Sequence, residues 1–116
     1  MSTITLYHNP RCSKSRQALQ LLQQQGHEPV LRLYLDNPPS HDELARLLSL
    51  LGINPRQLLR SGEQEYKDNN LKDSALSDAA LIDAMVQFPR LIERPIAICG
   101  DRAIIGRPPE NVLDLT

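Results

Sequence analysis

Two rhythms of apolar and polar positions run through the 116 residues. "TITLY" (Thr3–Tyr7) is β-branched and apolar, which predicts a short strand. Asn9-Pro10 ends it, because proline offers no amide donor and biases the residue before it away from helix. From Ser13 to Gln25 the rhythm becomes helical: Ala18, Leu19, Leu21 and Leu22 form one face, and Gly26 is a suitable stop. "PVLRLYL" (Pro29–Leu35) predicts a second strand, followed by a turn at "DNPPS". Ser40 and Glu43 form a capping box for a helix carrying Leu44, Leu47, Leu48 and Leu51, which closes at Gly52.

Asn54-Pro55 reads as an N-cap followed by proline at the first helical position, opening a short helix with Leu58, Leu59 and Arg60. "SGEQEYKDNNLKDSA" is polar and weakly patterned and is expected to be loop. Ser77 caps a further helix with Leu81, Ile82, Met85 and Val86 inward, ending before Pro89. "PIAIC" and "RAII" are apolar runs separated by Gly100-Asp101, a hairpin signal. "PPENVLDL" can hold a short terminal helix started by its prolines. The order is β-α-β, a helical insertion, a β-hairpin and a C-terminal helix. That order is the α/β arrangement of a thioredoxin-like fold, here a single domain over residues 1–116.

Composition narrows the function classes. Apolar residues make up 41%, enough for a core, and the net charge of −1 gives no global pull toward nucleic acid or an acidic membrane. No stretch approaches the roughly 20 apolar residues needed to span a bilayer. "MSTITLYHNP" lacks the basic and apolar regions of a secretory signal. Two cysteines, Cys12 and Cys99, are too few for a disulfide scaffold or a zinc site. The expectation is a reduced, cytoplasmic protein with no metal. Ten of the thirteen basic residues are arginines, whose planar fork suits oxyanions.

Within "YHNPRCSKSR", Cys12 falls at the N-cap or first turn of the first helix. Unpaired amides and the helix dipole favour a thiolate there, and Arg11, Lys14 and Arg16 add positive potential. The bland alternative is a loop cysteine exposed by chance. "CSKS" is C-x-x-S, so a neighbouring resolving thiol is missing, and a disulfide cycle would need an outside thiol or Cys99. The phosphatase loop C-x5-R is excluded, because the residue six after Cys12 is Ala18. Oxyanion chemistry would therefore need distant arginines. Arg60, Arg94 and Arg107 lie near the ends of predicted elements, where loops carry function, although for each alone a solvated surface residue is the usual reading. His8 is either a polar surface residue or a thiolate-stabilising partner. His27 and His41 have no metal-spaced cluster around them, and Cys99 reads as a small buried hydrophobe.

Taken together, "YHNPRCSKSR", "LYLDNPPSHDEL", "LLR" ending at Arg60, "LIDAMVQFPRLIERPI" and "GRPPENVLDL" closely resemble the glutaredoxin-coupled arsenate reductases. The likeness extends over nearly the whole chain. It implies Cys12 as nucleophile, His8 beside it favouring the thiolate, and Arg60, Arg94 and Arg107 as the arginines that bind arsenate and its intermediates. It further implies glutathione as co-substrate, glutaredoxin as partner, no tightly bound cofactor and a monomeric chain. Cys12 would attack arsenic, glutathione would attack the adduct, and glutaredoxin would remove the glutathione as arsenite leaves. Two other classes stay open. Spx-type regulators, which bind RNA polymerase, resemble the same extended fold, but those that sense oxidation use a C-x-x-C pair that Ser15 breaks. A general monothiol transferase acting on glutathione mixed disulfides is the third reading.

Overall fold

Four strands form one sheet in the order β2-β1-β3-β4, with β1 (Ile4–Tyr7), β2 (Val30–Arg32), β3 (Ile96–Cys99) and β4 (Arg102–Ile105). The computed structural model describes residues 3–116, so of the predicted single domain over residues 1–116 only Met1 and Ser2 lie outside the described residues. β1 pairs in parallel with β2 and antiparallel with β3, and β3 pairs antiparallel with β4. The parallel pair is joined by the helix α1 (Ser13–Gln24), as a parallel crossover requires. This is the thioredoxin-like arrangement expected from the element order.

The chain packs into two compact units, one of Met1–Asn37 with Arg94–Thr116 and one of Pro38–Glu93. In the first, Ile4 and Leu6 of β1, Ala18 and Leu22 of α1 and Ala97 of β3 form the core with Val112 and Leu115. The last two come from a 3₁₀ segment, Pro109–Leu115, which packs on α1 where a short helix was expected. The β3–β4 hairpin turns at Gly100, whose φ of +61° is the left-handed conformation glycine adopts at least cost.

Expectation and structure part at β2. The predicted strand Pro29–Leu35 is a ladder of only three residues. The Leu33 carbonyl accepts hydrogen bonds from the amides of Asp36 and Asn37, at 3.0 and 2.9 Å, so the chain turns instead of continuing along β1. Tyr34 is buried and stacks on Tyr7 with ring centroids 6.2 Å apart, while Leu33 and Leu35 point outward.

The second unit is helical. In α2 (His41–Leu51) the capping box is formed: Ser40 Oγ accepts from the Glu43 amide, and the Glu43 carboxylate accepts from the Ser40 amide. In α3 (Pro55–Leu58) Asn54 and Gln57 form a second box. The segment expected to be loop contains α4 (Gln64–Asp68), and α5 (Asp78–Gln87) is capped by Ser77. Leu81, Ile82 and Met85 bury the inner face of α5, which packs against α2 and α3. A 3₁₀ turn, Pro89–Leu91, follows it, and Leu59 bridges to Ile92. Among the described residues no helix is long and apolar enough to cross a membrane.

Candidate active site

Everything that holds Cys12 is local to the exit of β1. The Asn9 side chain accepts from the Arg11 amide at 3.0 Å, and the Asn9 carbonyl accepts from the Cys12 amide at 3.0 Å. Arg16 Nη1 closes the turn by donating to the Pro10 carbonyl at 2.8 Å. Cys12 is then the N-cap of α1, in extended conformation (φ −95°, ψ 122°), and its carbonyl accepts the first helical hydrogen bond from Arg16. Its side chain forms no capping hydrogen bond.

Ser15 bolts this turn in place. It is fully buried on the α1 face that also carries Ala18 and Leu22. Its Oγ lies 2.7 Å from His8 Nδ1 and accepts from the Asn9 amide at 3.0 Å. In the sequence Ser15 stands out only as the missing second thiol of C-x-x-C. Its spacing with Ala18 and Leu22 (i, i+3, i+7) marks it as an inward-facing polar residue, and an inward-facing serine needs partners.

Burial is the largest influence on the Cys12 thiol and pushes its pKa up. The Ser15 amide, the Arg94 side chain, the Lys14 amide and the charge of Arg94 outweigh it together, and the net pKa is lowered. The thiolate is therefore favoured by helix-start amides and one guanidinium. His8 enters differently. Its ring is 4% exposed, and burial, followed by the nearby positive charge of Arg16, lowers its pKa, which keeps it neutral at pH 7. A neutral imidazole tied to Ser15 shapes the turn and supplies no positive charge to the sulfur.

Two predicted arginines are brought to Cys12 within the first unit. Arg94 precedes Pro95 at the entry to β3, through a cis peptide bond. Arg107 follows β4; its Nε donates to the Arg94 carbonyl at 2.8 Å, which leaves Nη2 3.9 Å from Cys12 Sγ. The approach depends on Gly106, whose amide donates to the Pro95 carbonyl at 2.8 Å. A Cβ on Gly106 would lie 2.8 Å from Pro95 Cγ and 2.9 Å from Val112 Cγ1. Gly106→Ala is expected to cost about 1–3 kcal/mol through overpacking, read as a lower midpoint of thermal unfolding. An unchanged midpoint would show that Pro95 and Val112 can yield.

Arg60 belongs to the second unit. Its amide donates to the Leu91 carbonyl at 2.8 Å, and its Nη1 is buried with no hydrogen-bond partner among the described residues. An unsatisfied buried donor costs about 1–3 kcal/mol. Arg60→Met, similar in length but without the donor, is expected to unfold at equal or higher denaturant concentration. A clear loss of stability would mean that the guanidinium is already satisfied.

Cys99 does not share the site. It pairs with Ile4 at the start of β1, whereas Tyr7, at the end leading to Cys12, pairs with Ile96. Three steps of about 3.3 Å put it roughly 10 Å back along the strand, beyond the roughly 7 Å that a disulfide spans between Cα atoms. A resolving thiol for Cys12 must come from another molecule. No group of three or more His, Cys, Asp or Glu among the described residues could hold a metal.

Comparison with known proteins identifies the family. A family model described as the ArsC family matches residues 7–115. The chain is 52% identical over 113 residues to "Uncharacterized protein YfgD" of Escherichia coli (strain K12), covering 97% of this chain and 95% of that one. It is 46% identical over 114 residues to "Arsenate reductase" of Haemophilus influenzae, covering 97% and 98%. Among solved structures, "Arsenate reductase from Vibrio cholerae" superposes with a TM-score of 0.96 at 50% identity, covering 99% of this chain and 98% of that one. With a match over nearly its whole length and a cysteine turn built for a thiolate, the chain belongs to the ArsC family.

Proposed function

We propose that this protein reduces arsenate to arsenite, with glutathione as co-substrate and a glutaredoxin as the final thiol donor. The observation that carries the reading is the pairing at Cys12: a thiol whose pKa is lowered, with the guanidinium groups of Arg94 and Arg107 directed toward it. A thiolate alone would repel an oxyanion, and fixed positive charge offsets that repulsion. Arg60 is assigned to the same oxyanion by its place in the family pattern alone. Names borne by relatives of this chain support arsenate as the substrate.

The reaction proceeds in four steps. Cys12 thiolate attacks arsenic, and an arsenate hydroxyl takes up a proton from the solvent and leaves as water. The glutathione thiol then bonds to the same arsenic, and its proton leaves with a second arsenate hydroxyl as water. Glutaredoxin thiolate attacks the glutathione sulfur; the sulfur–arsenic bond breaks and its electron pair stays on arsenic, which falls from the pentavalent to the trivalent state. Water releases arsenite from Cys12, whose thiolate is regenerated. The two electrons come from the two partner sulfurs, which end as a mixed disulfide. This fits a chain whose second cysteine is beyond reach of the first.

The test supplies arsenate, glutathione and glutaredoxin to the purified protein and follows NADPH consumption through glutathione reductase. Consumption is expected only when all three are present. A rate independent of arsenate would overturn the reading, and disulfide turnover in its place would indicate a general thiol transferase.

A further inference from the structure

An apolar surface adjoins the cysteine turn and takes no part in the chemistry above. Leu33 and Leu35 are 39% and 36% exposed because the chain leaves β2 early and turns them outward. Together with Asn9, Pro10, Arg11 and Asp36 they line an open cavity of about 430 Å³. Three of these, Asn9, Pro10 and Arg11, belong to the turn that leads into Cys12.

Building on the proposed function, we infer that this surface docks the thiol protein that completes the reaction, a glutaredoxin-class partner seated on Leu33 and Leu35. Its reactive sulfur would then reach glutathione carried at Cys12. The lining argues against glutathione itself as the occupant. A tripeptide with two carboxylates calls for clustered cations, whereas this cavity sets one arginine against one aspartate around two leucines. Exposed leucines ringed by polar groups have the layout of a protein interface, with an apolar centre and a polar rim. Charge specifies the partner further. Arg11, Lys14 and Arg16 are all exposed on the cysteine side, so the complementary face carries acidic groups around its thiol and an apolar patch beside it. A small interface of this kind suits a partner that must leave after each turnover.

The test isolates the partner's approach from arsenic chemistry. In a Cys99→Ser background, Cys12 is converted to its mixed disulfide with glutathione and reduced either by glutaredoxin or by dithiothreitol. In the glutaredoxin arm the partner's thiolate attacks the glutathione sulfur, Cys12 leaves as thiolate, and the disulfide passes to the partner without net oxidation. Leu33→Asp with Leu35→Asp is expected to slow glutaredoxin by at least about tenfold, through lost apolar contact and repulsion of an acidic partner. Dithiothreitol should be unaffected, and Leu33→Ser with Leu35→Ser should give a smaller effect in the same direction. An unchanged glutaredoxin rate would overturn the inference, as would equal slowing by both reductants, which would indicate a damaged cysteine turn. A wild-type dimer made monomeric by the variants, with the glutaredoxin rate intact, would assign the surface to a second copy of the chain. Arsenate plays no part in this assay, so failure of the arsenate reading would appear separately, in the turnover measurement.

Discussion

Cys12→Ser is expected to abolish arsenate-dependent turnover, by more than about a thousandfold, the scale on which enzymes lose activity with their nucleophile. The hydroxyl cannot replace the thiolate, because nothing at this helix start could ionise a group so much less acidic. The substitution also carries its own control for folding. Cys12 is the N-cap of α1 and makes no side-chain capping bond. Serine is a favoured N-cap, and can add one where cysteine has none. The variant should therefore melt at the same temperature as the wild type or higher. Full activity in Cys12→Ser would remove the nucleophile from the account, and a collapsed melting curve would show that the thiol has a structural duty.

The second large effect is expected at Arg94. Its guanidinium favours the Cys12 thiolate and, in the proposed reaction, holds the oxyanion, so Arg94→Ala removes two contributions at once. Loss of a single transition-state donor costs about 10²–10³ in rate, and kcat/KM for arsenate should fall by at least that. The sign on the thiol follows from the same contact. Arg94 lowers the pKa, so its removal raises it, and the alkylation midpoint of Cys12 should move to higher pH. Arg94→Lys separates the two roles. A lysine restores the charge, and with it most of the midpoint, but not the planar fork, so kcat/KM should recover only in part. An alanine variant that keeps both its midpoint and its arsenate activity would show that Arg94 is only a neighbour.

These two residues also mark how far the sequence could be read. Cys12 was legible because its determinants are adjacent in the chain: a proline-ended strand, a polar turn and a helix start. The caps at Ser40, Asn54 and Ser77 were legible for the same reason, since a capping bond spans three residues. The early end of β2 was not, because the Leu33 carbonyl is claimed by a turn while its neighbours spell an apolar strand. α4 escaped because it buries none of its residues, so apolar spacing carries no trace of it. Polar contacts one turn apart accompany it, Gln64 to Asp68 and Asn69 to the Glu65 carbonyl. Ser15 and Gly106 were invisible for a third reason. Each matters through what it meets in space, His8 in one case, Pro95 and Val112 in the other. The arginines needed the family pattern, because an arginine beside a turn looks alike whether it binds an oxyanion or water.

The central claim is that Cys12 is held as a thiolate inside a site for an oxyanion. The pH dependence of Cys12 alkylation, measured with and without arsenate in a Cys99→Ser background, tests it most directly. A lowered pKa means that the reactive anion persists to lower pH, so the midpoint should lie below the ordinary thiol value of roughly 8.5. Arsenate should slow the reaction in a saturable way, because an oxyanion bound at this site would cover the sulfur. A midpoint at the ordinary value, with no protection by arsenate at any pH, would contradict both halves of the claim.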